Sequence, residues 1–127
     1  MPGKYLFEYA VVRVVPKVER EEFLNAGVIL FCKDLKYLRC RQLLNRKRLQ
    51  TFCGEMDCRE VEDHLLAFEK ICHGDPQGGP IALLDLPSRF RWLTATRSTV
   101  VQTSKVHPGF CEDADETLEK LFQQLVV

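Results

Sequence analysis

Arg13 stands inside the apolar run Ala10-Val11-Val12-Arg13-Val14-Val15. A guanidinium stays charged under all ordinary conditions, so lodging one in an apolar strand demands a carboxylate or a hydrogen-bonding partner. The chain supplies both close by. Glu19, Glu21 and Glu22 follow Pro16, and Asn25-Ala26-Gly27 comes directly after. One reading makes Arg13 a bidentate anion clamp with Asn25 as a second donor, and Glu22 as the group that orients the arginine or acts as a base. The other reading is structural. Arg13 and Glu22 form an ion pair that pins two strands, Asn25 caps the connection, and Gly27 permits close backbone approach.

A second polar block runs from Thr94 to Ser104 and continues into His107-Pro108-Gly109. It gathers hydroxyls around Arg97, with Gln102 and His107 following. Hydroxyls, an arginine and turn N–H groups together can hold an anion. The same residues also describe a threonine-rich edge strand. His107 is either an acid–base group in a pocket or a plain turn residue before Pro-Gly. The expected ligand-binding set is therefore Arg13, Glu22, Asn25, Arg97, Ser98, Thr99, Gln102 and His107, around one cleft.

Other chemistries find less support. Cys53 and Cys58 with Cys72-His73 suggest zinc, but a structural zinc ribbon shows two short-spaced pairs and this chain has one loose pair. Cys72 also belongs to an apolar helical face. No metal and no cofactor are expected. The glycines 74, 78 and 79 follow a helix and lack the Gly-Lys-Ser/Thr ending of a phosphate loop. The serines 88, 98 and 104 lack a nucleophile elbow. Catalysis is neither indicated nor excluded.

The elements that must position these groups are legible from periodicity. Tyr5–Val15 alternates as a strand ended by Pro16. Gly27–Cys32 is apolar on both faces, as a central strand should be. A turn at Lys33-Asp34 leads to a more basic strand over Leu35–Leu43. Asn45 caps a short helix over 46–53. The next helix opens at Asp57 with Glu60 and buries Val61, Leu65, Phe68 and Cys72. His73-Gly74-Asp75-Pro76 stops it. Ile81–Ala95 fits helix or strand, and the helix, opening at Pro87-Ser88, is preferred. Ser98–Ser104 reads as a strand and Lys105–Cys111 as a turn-rich segment. Asp113 with Glu116 opens a last helix with Leu118, Leu121, Phe122 and Leu125 inward. The expected architecture is a single α+β domain over residues 1–127, a mainly antiparallel sheet of about four strands with helices packed on one face.

Length and composition agree. A chain of 127 residues suits one domain. No apolar run approaches the ~20 residues of a membrane span. The opening residues do not form a secretory signal, so a soluble cytoplasmic protein with reduced cysteines is expected. Lysines and arginines equal aspartates and glutamates at 18 each, which argues against broad nucleic-acid affinity. The charges are segregated, however. Lys33–Arg48 is strongly basic, while Glu55–Glu69 and Glu112–Glu119 are acidic. Either the basic segment forms a ligand-binding face, or acidic helices lie beside it and neutralise it.

Tyr9-Ala10-Val11-Val12-Arg13-Val14-Val15-Pro16, followed by Glu21-Glu22-Phe23-Leu24-Asn25-Ala26-Gly27-Val28-Ile29-Leu30, resembles the opening signature of the bacterial domain-of-unknown-function family 3037. Arg97-Ser98-Thr99-Val100-Val101-Gln102-Thr103-Ser104 with His107-Pro108-Gly109 resembles its second block. The resemblance covers nearly the whole chain. It implies a stand-alone bacterial cytoplasmic domain and supplies no catalytic residues. It also implies an accessory role beside a toxin-type kinase. From the residues themselves, the leading expectation is a non-enzymatic module that binds an anionic small molecule or a partner protein. A small hydrolase or phosphoryl-transfer enzyme using Glu22 or His107 is the alternative. A regulatory subunit acting through Arg39 and Arg41 is the third.

Overall fold

The computed structural model describes residues 4–15, 23–52, 58–95 and 99–127. Among the described residues, five strands and four α-helices follow in the order β1 (Tyr5–Val14), β2 (Leu24–Cys32), β3 (Tyr37–Gln42), α1 (Arg46–Phe52), α2 (Cys58–His73), α3 (Leu86–Thr94), β4 (Val101–Thr103), β5 (His107–Cys111) and α4 (Ala114–Leu125). Two short 3₁₀ turns, Pro76–Gly78 and Pro80–Leu83, connect α2 to α3. The expected antiparallel α+β class is the one observed.

The sheet runs β3-β2-β1, and the far edge of β1 is shared by β4 and β5. β4 pairs with Val12–Val14, whereas β5 pairs with Tyr5–Tyr9. The two short strands thus form one interrupted edge. Ser104 bridges the gap. Its N–H donates to the Val11 carbonyl at 2.8 Å, and its Oγ accepts from the Val11 N–H at 2.8 Å. A buried side chain here completes a ladder that the backbone alone leaves open.

β5 corrects the expectation of a turn-rich segment over Lys105–Cys111. Pro108 lacks an N–H, and an edge strand tolerates that loss. Gly109 is required by packing, because a Cβ there would meet the Phe7 ring at 2.5 Å. The strand expected over Ser98–Ser104 is shorter, with ladder pairing limited to Val101–Thr103. The ambiguous Ile81–Ala95 stretch contains helix α3, as preferred. Its start is fixed by Asp85, whose carboxylate accepts from the Ser88 N–H at 2.9 Å. Hydrogen bonding from the Ser88 side chain, then from its N–H, holds the exposed Asp85 carboxyl below its ordinary range. The proposed cap at Asp57 lies outside the described residues.

Helices cover both faces of the sheet, which refines the one-sided packing expected. On one face, Ala10, Val12, Ile29, Phe31 and Leu38 pack with Val61, Leu65, Phe68 and Cys72 of α2 and with Phe90 and Leu93 of α3. On the other, Phe7, Val28, Leu30 and Cys32 pack with Leu118, Phe122 and Val126 around α4. α4 is opened by Asp113, whose carboxylate accepts from the Glu116 N–H at 3.1 Å. Among the described residues, no helix is long and apolar enough to cross a membrane.

Candidate functional site

The first site grows from an irregularity in β2. Val12 pairs with Gly27, but Arg13 pairs with Asn25, so Ala26 is an extra residue in the ladder. Such a bulge re-aims the side chains that flank it. Leu24 and Ala26 face the α2–α3 side, and so do Ile29 and Phe31. Unbroken alternation would turn Asn25 to that same side. The bulge instead turns it toward α4, where its Nδ2 donates to the Leu125 carbonyl at 3.0 Å. Gly27 then approaches β3 so closely that a Cβ would meet the Arg41 carbonyl at 2.7 Å. That close approach is the role expected of Gly27.

Arg13 pairs with Asn25 on one side and with Gln102 on the other. Directly paired residues share a face, so Asn25, Arg13 and Gln102 form a row across three strands on the α4 side. The Arg13 guanidinium lies 3.9 Å from the centroid of the exposed Phe23 ring, a cation–π contact. Its Nε is buried with no hydrogen-bond partner among the described residues, and the same holds for Asn25 Oδ1. Gln102 Nε2 donates to the Thr99 carbonyl at 2.9 Å. Thr99 therefore joins the end of the row through its backbone.

His107 is not brought to this row. It pairs with Tyr9, its ring tilted against the Tyr9 ring with centroids 5.3 Å apart, four residues along β1 from Arg13, a span of about 13 Å at strand rise. Glu22, Arg97 and Ser98 lie outside the described residues.

The basic strand β3 is matched by the acidic helix α4. Arg41 is 3.2 Å from Glu119, Arg39 is 3.7 Å from Asp115, and the Tyr37 hydroxyl donates to Asp115 at 2.7 Å. Burial, then the hydrogen bond to Asp115, pushes the Tyr37 phenol well above its ordinary value. Arg46 likewise pairs with Glu62 of α2. For these arginines, neutralisation by neighbouring helices describes the segregated charge better than a free basic face does.

A second cluster lies on the opposite face, where the end of α2 meets β3. Cys40, Cys72 and His73 bring their ligand-capable atoms within 4.8 Å of one another. Cys40 and Cys72 are buried. The Cys40 N–H donates to His73 Nε2 at 3.4 Å, and His73 Nδ1 lies 4.0 Å from Glu69 on the next turn of α2. Hydrogen bonds from Cys72 and then His73 draw the Cys40 thiol down to about 7. Burial and the Cys40 neighbour push the Cys72 thiol up. The hydrogen bond with Cys40 raises His73. Cys40 and Glu69 also line an open cavity of about 490 Å³. Such a group can ligate a soft metal or supply a thiolate. Sequence spacing pairs Cys72-His73 with Cys53 and Cys58, and no local signal points to Cys40, which is reached only by tertiary packing.

No curated protein and no solved structure matches this chain. The profile of one family, described as protein of unknown function (DUF3037), matches residues 9–126 and takes in both the arginine row and the cysteine cluster. The chain belongs to that family.

Proposed function

We propose that this domain is a non-enzymatic binding module that recognises an anionic group, carried by a small molecule or a partner protein, through the Asn25–Arg13–Gln102 row. One observation carries the reading. Arg13, at the centre of the row, keeps a buried Nε–H without a partner among the described residues. A buried donor without an acceptor costs about 1–3 kcal/mol, and an oxyanion would relieve that cost while engaging the guanidinium in a charge-assisted bond. The bulge that aligns Asn25 with Arg13 is the kind of irregularity strands carry beside functional sites. The toxin-type kinase suggested by the family resemblance is one form the partner protein would take.

The separation of His107 from Arg13 along β1 counts against His107 as the base of the hydrolase alternative, because a base must stand beside the bound group. Inorganic phosphate and acetate, titrated calorimetrically, test the reading. The expected result is saturable binding that weakens about tenfold or more in Arg13→Gln, the equivalent of one charge-assisted hydrogen bond. Arg13→Lys should recover only part of it, because a lysine lacks the planar fork. Equal affinity in wild type and Arg13→Gln would overturn the proposal.

A further inference from the structure

We propose that Cys40, Cys72 and His73 form a binding site for one zinc ion, on the face of the sheet opposite the arginine row. Three donors from two elements converge there: Cys40 from β3, and Cys72 and His73 from the last turn of α2. Their ligand atoms all lie within 4.8 Å of one another. A tetrahedral ion with zinc–sulfur bonds of about 2.3 Å holds its sulfurs about 3.8 Å apart. Closing the cluster onto an ion therefore needs only side-chain adjustment, with the long 3.4 Å contact from the Cys40 N–H to His73 Nε2 given up.

The donor chemistry selects the ion. Two sulfurs and an imidazole suit zinc and are a poor cage for magnesium or calcium. As each metal–sulfur bond forms, the thiol proton leaves to solvent. Two thiolates then balance the dipositive ion, and a neutral centre is the form a buried site accommodates at least cost. Cys72 is 0% exposed and Cys40 8% exposed. The imidazole needs little rearrangement for ligation. Its Nε2 faces Cys40 and its Nδ1 faces the Glu69 carboxylate at 4.0 Å, the second contact that orients metal-bound histidines. Three protein donors leave a fourth position for water, beside the open cavity that Cys40 and Glu69 line.

A nucleophilic cysteine is the competing use of these groups. It requires one accessible thiolate, whereas here a second, fully buried thiol occupies the same spot. The convergence of both sulfurs on the imidazole is what ligation needs and attack does not.

The reduced full-length chain should be titrated with zinc chloride against a chromophoric chelator, and separately with cobalt(II). The expected result is one equivalent bound, a thiolate-to-cobalt charge-transfer band, and a zinc-induced rise in thermal midpoint. Affinity should fall at least tenfold in Cys40→Ser and in Cys72→Ser, with Cys58→Ser unchanged. Because Cys72 is buried and its variant can fail to fold, His73→Gln, at an exposed position, gives the same tenfold test in a folded protein. Three results would overturn the site: no stoichiometric binding, wild-type affinity retained in both Cys40→Ser and His73→Gln, or a Cys40–Cys72 disulfide in air together with no zinc affinity in the reduced chain.

Discussion

The two faces of the sheet are built on different physics. The α2–α3 face is closed by apolar burial, with Phe90 fully buried and its ring 5.2 Å from Phe31. The α4 face combines an apolar strip with a polar margin, where Tyr37, Arg39, Arg41 and Asn25 of the sheet meet Asp115, Glu119 and the Leu125 carbonyl. The arginine row belongs to the polar face and the thiol–imidazole cluster to the apolar one. The contrast indicates how one sheet can keep two unlike chemistries apart. A cationic row gains from polar neighbours at a partly open margin, while a soft donor set gains from two buried sulfurs held against an apolar core.

Substitutions on the two faces should therefore differ in size. Phe90→Ala should destabilise by about 3–5 kcal/mol in urea unfolding, through lost burial and a cavity. A loss below about 1 kcal/mol would break the contrast. Ser104→Ala, at the edge common to both faces, should cost about 1–3 kcal/mol because it strands the buried Val11 N–H. Hydrogen exchange at Val11 should accelerate with it.

The smallest effect falls on the polar margin. Tyr37→Phe should cost about 0.5–1 kcal/mol near neutral pH, since it removes a partly exposed hydrogen bond. Its pH dependence sharpens the point. The phenol holds its proton more tightly in the folded chain than in the unfolded one. Its contribution is therefore complete below the unfolded value of about 10 and drains away as pH climbs through that value toward the folded one. Unfolding free energy should fall more steeply between about pH 9 and about pH 11 in wild type than in Tyr37→Phe. Parallel slopes would remove Tyr37 from the account.

Much of this architecture was legible in the sequence, for reasons that name its limits. The helical spacing of Val61, Leu65, Phe68 and Cys72 and the cap at Asp113 act over one or two turns, and both appear as read. Arg13 stood out because a charge inside an apolar strand is a local anomaly. Asn25 is marked by its type, but its orientation depends on a bulge that single-strand alternation does not encode. β5 was hidden because Pro108 and Gly109 carry turn chemistry, and only the approach of the Phe7 ring explains the glycine. The Cys40 cluster was invisible for a related reason. Thirty-three residues separate Cys40 from His73, and only the docking of α2 on β3 joins them.

The claim that the bulged row is the binding surface is tested most directly by mapping backbone amide shifts during titration with inorganic phosphate. The expected perturbations centre on Arg13, Asn25 and Gln102, leave His107 and the Cys40 neighbourhood unmoved, and vanish in Arg13→Gln. Saturable shifts centred elsewhere, or an unchanged pattern in Arg13→Gln, would contradict the account.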